Sequence, residues 1–348
     1  MARQPGNPRR YFLLPNRPRS GDFAKHPAGQ SLTGAEAITT SMQHYRSLEE
    51  VNLQNSWLTV GVFDGVHRGH QQIMKKLIAG AHANDAPAAV LTFAPHPASV
   101  LGGREIKCLT LPEERADLLA QLGVDVVITE RFTRELSTVT AYDFMSRLKR
   151  QLGFQQLLIG YDFALGKGRE GNAARLTEIG SELGYRVEVV PALGDESGVI
   201  SSTEIRKLIE VGNVAEAARL LGHFYSLHGP VIHGDGRGRT INIPTANIAY
   251  SPEKMIPAKG IYACWAYLNE QKYLAAINIG TNPTFTPDKE IPNVEAHLLD
   301  FRREIYGEDV RLDVVARLRD ELRFDSVDGL LEQIWKDVEM TRTILGTV

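Results

Sequence analysis

The sequence predicts an α/β chain in two parts: a doubly wound parallel sheet, then a small antiparallel β-barrel that closes on a C-terminal helix. Three observations predict it. From Trp57 to Pro191 short apolar strands alternate with amphipathic helices; beyond Gly222 short strands follow one another with turn residues between them; and the last apolar stretch, VDGLLEQIWKDVEM, has helical spacing. Repeated strand–helix units of this length build a parallel sheet covered on both faces. Consecutive short strands separated by turns build a barrel.

Each element follows in order. Residues 1–41 mix Pro, Gly and Arg without a period and read as a flexible extension, with Met42 as an alternative functional start. The expected strands of the first part are WLTVGVF, AAVLTF, VDVVIT, QQLLIG and YRVEVVP, separated by the helical segments QQIMKKLIAGA, PEERADLLAQLG, AYDFMSRLKRQLG and AARLTEIGSELG. In the first helix Met74, Leu77, Ile78 and Ala81 recur at helical spacing and would cover the sheet. After the short helix NVAEAARLLG, the barrel strands are FYSLHGPVIHG, TINIPTANI, GIYACWAYL, KYLAAINIG, VEAHLLDF and VRLDVVARL, and Leu331, Ile334 and Val338 form the buried stripe of the last helix. The expected division is 1–41, 42–222 and 223–348, with no internal repeat.

Composition narrows the function classes. A net charge of -3 lacks the basic excess of a nucleic-acid or acidic-membrane binder, so a small-molecule partner is expected. Cys108 and Cys264 stand far apart with no neighbours at metal-ligand spacing, which argues against a disulfide framework or zinc site and fits a reducing cytoplasm. No apolar run approaches the roughly 20 residues that span a bilayer, and YFLLP is shorter than a signal-peptide core. A cytoplasmic protein, monomeric or weakly homo-oligomeric, is the expectation.

The chemistry concentrates at strand-to-helix turns, where ligands bind in doubly wound sheets. In VGVFDGVHRGHQ, Gly61, Phe63 and Asp64 lead from the strand to His67 and His70, three apart and on one side of a helix's first turn. A helix start is already an anion site, and imidazoles there add donors to a phosphate and its developing charge. Gly65 and Gly69 allow close backbone approach. A single histidine at such a place is ordinarily a cap; two, with the glycines and Asp64, favour the anion site. A second one follows the fifth strand in ISSTEIRKL, where Ser201, Ser202 and Thr203 can cap a helix and Arg206 could fork onto phosphate oxygens. GYDFALGKGREG carries a Gly-x-Gly-x-x-Gly, so a nicotinamide-dependent oxidoreductase has to be weighed. The expected strand ends at Gly160, six residues before Gly166, which separates the glycines from the strand end that the dinucleotide motif requires, and a P-loop fails on spacing and on Gly168.

In the second part, Thr245 and Asn247 of PTAN point the same way if on a strand and can offer two oxygens to a Mg²⁺ carried by a nucleotide. The preceding glycine-rich turn, Gly234 to Arg239 with Gly236 within it, can cradle phosphate. Glu295 alternates with the apolar Val294 and Ala296 and faces away from them; spacing alone leaves open a solvated side chain or a base.

VGVFDGVHRGH, TFAPHP, GYDFALGKGREG and SSTEIR, followed by GDGRGRTINIPTANI, NIGTNPTF and VEAHLLDF, resemble the bacterial bifunctional riboflavin kinase/FAD synthetase family, in order from about Met42 to near the C-terminus. The resemblance implies an HxGH-type nucleotidyltransferase domain and a riboflavin kinase barrel, using ATP and Mg²⁺ with riboflavin, FMN and FAD as substrates and products. It implies that His67, His70 and Arg206 hold the triphosphate, with Ser202 and Thr203 beside them. Gly160 and Asp162 match the family's ATP-binding segment, Pro95 and His96 fall near the flavin, Gly236 and Arg239 belong to the phosphate turn, and Glu295 is the base for the ribityl 5′-hydroxyl. A single retained activity is the alternative. Asn242, Leu165 and Asn282 depart from the family's usual residues.

Overall fold

The computed structural model describes residues 42–103, 105–195, 198–234, 243–280 and 292–346. The expectations for residues 1–41, Gly236, Arg239, Asn242 and Asn282 lie outside these residues. The first sheet holds β1 (Gln43–Tyr45), β2 (Trp57–Val60), β3 (Ala88–Ala94), β4 (Val126–Arg131), β5 (Gln156–Gly160) and β6 (Arg186–Val190), in the order β1-β4-β3-β2-β5-β6. All neighbours pair in parallel. Its central strands are runs of Val, Ile, Leu and Ala buried on both faces, as a sheet with two helical layers requires.

The two layers are visible in two apolar clusters. On one face α1 (Arg68–His82) sets Ile73, Met74, Leu77 and Ala81 against Val90, Val127 and Leu158. On the other, α4 (Ala141–Leu152) sets Phe144, Met145, Leu148 and Leu152 against Leu58, Leu91, Ile128 and Leu157. Between them in chain order stand α2 (Pro97–Gly102) and α3 (Pro112–Gln121), and α5 (Ala173–Leu183) precedes β6. The chain steps from β2 out to β3 and β4, then returns to lay β5 on the other side of β2. That reversal opens a crevice at the carboxyl ends of β2 and β5, where VFDGVHRGH and GYDFALG follow.

A short hairpin of β7 (Gly194–Asp195) and β8 (Gly198–Val199) leads to α6 (Ser202–Glu210) and α7 (Val214–Leu221). The second part is a closed antiparallel barrel of β9 (Tyr225–Ile232), β10 (Ala246–Ile248), β11 (Gly260–Leu268), β12 (Gln271–Gly280), β13 (Asn293–Leu298) and β14 (Asp309–Arg319). Alternation places Tyr225, Leu227 and Val231 inside and their neighbours outside. The last helix, α8 (Val327–Leu345), packs on β11, β12 and β14. Arg319 at the end of β14 donates to the buried Asp337 of α8 through Nε at 2.9 Å and the terminal nitrogen at 2.6 Å, which fixes the helix to the barrel wall.

The expected fold class is the one observed, with local differences. β1 joins the sheet edge beside β4, although three residues are too few to show a period. The first expected strand stops at Val60 because the chain turns at Gly61. Among the described residues of TINIPTANI, only Ala246–Ile248 is strand, so Thr245 lies just ahead of β10. One apolar cluster spans the expected boundary near Gly222: Ile205, Ile209, Val214, Ala217, Leu220 and Leu221 of α6 and α7 share it with the barrel interior.

Candidate active sites

The turn after β2 is strained and deeply supported. Phe63 and Val66 take left-handed φ values of 49° and 40°, a conformation that costs a non-glycine residue about 1–3 kcal/mol and persists only where surroundings over-determine it. Both side chains are buried in the cluster beneath α1. Asp64, also buried, supplies the rest. Its carboxylate accepts from the N–H groups of Leu109 at 3.0 Å and Thr110 at 2.9 Å and from the Arg206 guanidinium, and Arg115 stands 4.0 Å away.

His67 is the N-cap of α1, and its Nδ1 accepts from the His70 N–H at 3.4 Å, which puts the proton of the neutral ring on Nε2. The two imidazoles stack with centroids 3.5 Å apart, and Phe63 meets His70 edge-on at 5.2 Å. Burial lowers the His67 pKa to about 4, against the opposing pull of Asp64. Burial, then His67 and Arg115, push His70 well down. Both rings are therefore neutral near pH 7, at the positive end of a helix and above two guanidiniums that share one carboxylate. Nδ1 of His70 is buried with no hydrogen-bond partner.

His70 opens onto a cavity of about 930 Å³ at the crevice between β2 and β5. Of the residues expected at this site, Gly61, Phe63, Asp64, His70, His96, Gly160, Asp162 and Ser202 line it. His67 lies behind His70, and a Cβ on Gly69 would press within 3.2 Å of the His67 ring. His96 caps α2, its Nδ1 accepting from Ala98 N–H at 3.1 Å, with Pro95 just before it. Ser201 caps α6, Ser202 donates to the Asp64 carbonyl at 2.8 Å and Thr203 is exposed. The sequence expects Arg206 to fork onto phosphate; its guanidinium meets Asp64 and donates from Nε to the Lys107 carbonyl at 3.0 Å. The rest of the wall is mostly apolar, with Phe93 and Phe132 edge-to-face at 5.6 Å, and Arg169 and Ser137 complete it.

Sequence reasoning missed Arg115. It is 2% exposed and donates to Thr92 Oγ1 at 2.8 Å and the Thr110 carbonyl at 3.1 Å while facing Asp64. In PEERADLL it reads as an ordinary solvated position of an amphipathic helix. The glycine-rich loop has another use than dinucleotide binding. Leu165 and Gly171 exchange N–H···O bonds of 3.2 and 2.9 Å, closing the loop on itself, and a Cβ on Gly166 would fall 2.7 Å from the Ala141 nitrogen of α4. α5 begins only at Ala173, capped by Asn172, so no glycine of the motif stands at its start.

The second site is a strand face. Glu295 of β13 sits directly opposite Asn247 of β10 on one side and Asn278 of β12 on the other. All three are half-buried on the outer face, while Val294, Ala296 and Ala246 point into the core. Thr245 and Glu295 line a cavity of about 280 Å³ between this face and α8, closed by Leu330, Ile334 and Val338. His297 donates from Nδ1 to the Pro244 carbonyl at 2.9 Å, holding the PTAN segment against β13. Asn247 packs so close to Gly234 that a Cβ there would come within 2.2 Å of its amide. Gly236 and Arg239 fall outside the described residues.

The fold defines a class: an HxGH-type α/β domain joined in one chain to a closed six-strand barrel. The family model described as FAD synthetase matches residues 49–204, and the one described as riboflavin kinase matches residues 221–345. The bifunctional riboflavin kinase/FMN adenylyltransferase of Listeria monocytogenes is 38% identical over 88% of this chain and 98% of its own length. The Escherichia coli K12 protein of the same name is 35% identical over 86% and 96%. A solved structure described as a macrolide-efflux protein from Streptococcus pneumoniae superimposes with a TM-score of 0.79 at 33% identity, covering 87% of this chain and 99% of that one. The chain belongs to the bifunctional riboflavin kinase/FMN adenylyltransferase family. Among the described residues no helix is long and apolar enough to cross a membrane.

Proposed function

We propose that this chain phosphorylates riboflavin to FMN with ATP and then transfers the adenylyl group of a second ATP to FMN, giving FAD and pyrophosphate. One observation carries the reading: each family stretch contains its own cavity, and each cavity is lined by side chains suited to its half of that sequence.

In the barrel, Glu295 takes the proton from the ribityl 5′-hydroxyl as that oxygen attacks the γ-phosphorus of ATP and ADP leaves. Thr245 and Asn247 present a hydroxyl and a carboxamide oxygen beside it, a hard-donor pair that fits Mg²⁺. The ion, when bound with the nucleotide, neutralises charge on the phosphate oxygens. In the first part, the FMN phosphate attacks the α-phosphorus of ATP in line and pyrophosphate leaves. The start of α1 and the imidazoles of His67 and His70 receive the triphosphate, with the net positive charge of Arg115 and Arg206 over Asp64 beneath them. Arg206 remains a candidate triphosphate ligand, which requires its release from Asp64. Phe93, Phe132 and Phe163 offer apolar surface to an isoalloxazine ring, while Gly160 and Asp162 border the nucleotide. Such work belongs in the cytoplasm, with small molecules as partners.

Purified protein incubated with riboflavin, ATP and Mg²⁺, with the flavins separated by chromatography over time, tests this. FMN should rise and then give way to FAD. FMN alone would confine activity to the barrel, and no product at all would overturn the reading.

A further inference from the structure

We infer that Lys254, a barrel-side residue outside the cavity that contains Glu295, is a positioning residue for adenylyl transfer: it holds the histidine turn of the other half in shape. Lys254 follows β10 and is 3% exposed. A buried ammonium needs partners; this one lies over the Tyr225 ring of β9 at 4.8 Å and donates its hydrogen bonds to the first half, to the Leu109 carbonyl at 2.8 Å and Glu114 Oε2 at 2.6 Å. The same Glu114 oxygen accepts from the Leu111 N–H at 2.9 Å. Cys108 N–H donates to the Glu253 carbonyl at 2.7 Å, and Met255 N–H returns a bond of 2.9 Å to the Cys108 carbonyl. Leu109 completes the attachment by placing its side chain in the barrel core.

The opposite side of this segment carries the turn. Leu109 and Thr110 give their N–H groups to Asp64, and Thr110 Oγ1 accepts from Gly65 N–H at 2.9 Å. Residues 108–111 are thus interposed between the barrel and a turn whose Phe63 and Val66 would leave their left-handed conformations if the support loosened. Without its ammonium, Glu114 is left as a largely buried carboxylate short of a partner, and the segment moves to rehydrate it. The kinase cavity does not include Lys254, so the effect falls on one site only.

The test compares full-length wild type with Lys254→Met and Lys254→Arg. Amide exchange of residues 61–70 needs no catalytic turnover: in Lys254→Met it should quicken at least about tenfold, while residues 260–280 of the barrel exchange as before. The kinetic counterpart rests on the proposed function. With FMN supplied, the KM for ATP should rise about tenfold, or about 1.4 kcal/mol, riboflavin phosphorylation should stay unchanged, and Lys254→Arg should restore most of the loss. Glu114→Gln, which keeps an acceptor for Leu111 but drops the charge, should show the same split if Lys254→Met does not fold. Unchanged exchange at residues 61–70, or equal loosening of both regions, overturns the inference. A wild type that makes no FAD while its exchange shows the expected contrast would sink the functional reading and leave the positioning role standing.

Discussion

The two candidate sites are assembled in opposite ways. In the barrel, Glu295, Asn247 and Asn278 lie side by side on adjacent strands, so the backbone ladder alone sets their spacing. In the sheet, the groups gather from chain positions as far apart as Asp64 and Arg206, 142 residues on. No ladder spaces them. A helix start aims the histidines, and a buried carboxylate with two arginines holds that start in place. A site built on strand register tolerates changes around it, whereas one built on a turn depends on the residues that brace the turn.

That contrast can be broken or sharpened by four experiments. Glu295→Gln should lower riboflavin phosphorylation by about 10²–10⁴-fold, the range of a positioned general base, while supplied FMN is still converted to FAD; an unchanged kinase rate would remove Glu295 from the role. Asp64→Asn leaves the guanidiniums of Arg115 and Arg206 without their carboxylate. It should destabilise the sheet half by about 3–5 kcal/mol, read as a lower urea midpoint, with FAD formation lost before FMN formation. His70→Ala should slow FAD formation about 10²–10³-fold, as for the loss of one preorganised donor. Equal loss of both activities would contradict separate sites.

The smallest effect concerns pH. Burial holds the folded pKa of His67 at about 4, against 6.5 for an exposed imidazole. Between those values the unfolded chain takes up the proton and the folded one does not, so this group's contribution is whole above pH 6.5 and shrinks as pH falls toward 4. By pH 5 it should withdraw about 2 kcal/mol. Urea midpoints at pH 7 and pH 5 should therefore fall further in wild type than in His67→Gln. Equal falls would mean that the ring titrates normally.

Much of this was legible in the residues. HRGH at the end of an apolar strand signalled the helix start, and alternation in VEAHLL placed Glu295 on the outer face. The supports were not legible, because sequence patterns report period and not partner. Nothing in PEERADLL distinguishes the buried Arg115 from a surface arginine, and nothing in SPEKM marks Lys254 as buried. Arg206 looked free to meet phosphate since its pairing with Asp64 spans most of a domain. β1 escaped notice because its three residues gain their strand only from the edge of β4.

The helix pair α6–α7 has a consequence for recombining such chains. Its residues from 205 to 220 fall between the two family stretches. Gly212 turns against the Tyr262 hydroxyl so closely that a Cβ would stand 2.8 Å away, and Ser202 and Arg206 reach Asp64. A barrel transplanted without the pair loses the floor of its core, and a sheet transplanted without it loses the brace of its histidine turn. Gly222 therefore offers no clean seam to a designer or to a gene-fusion event: whichever half is moved, the pair has to travel with it.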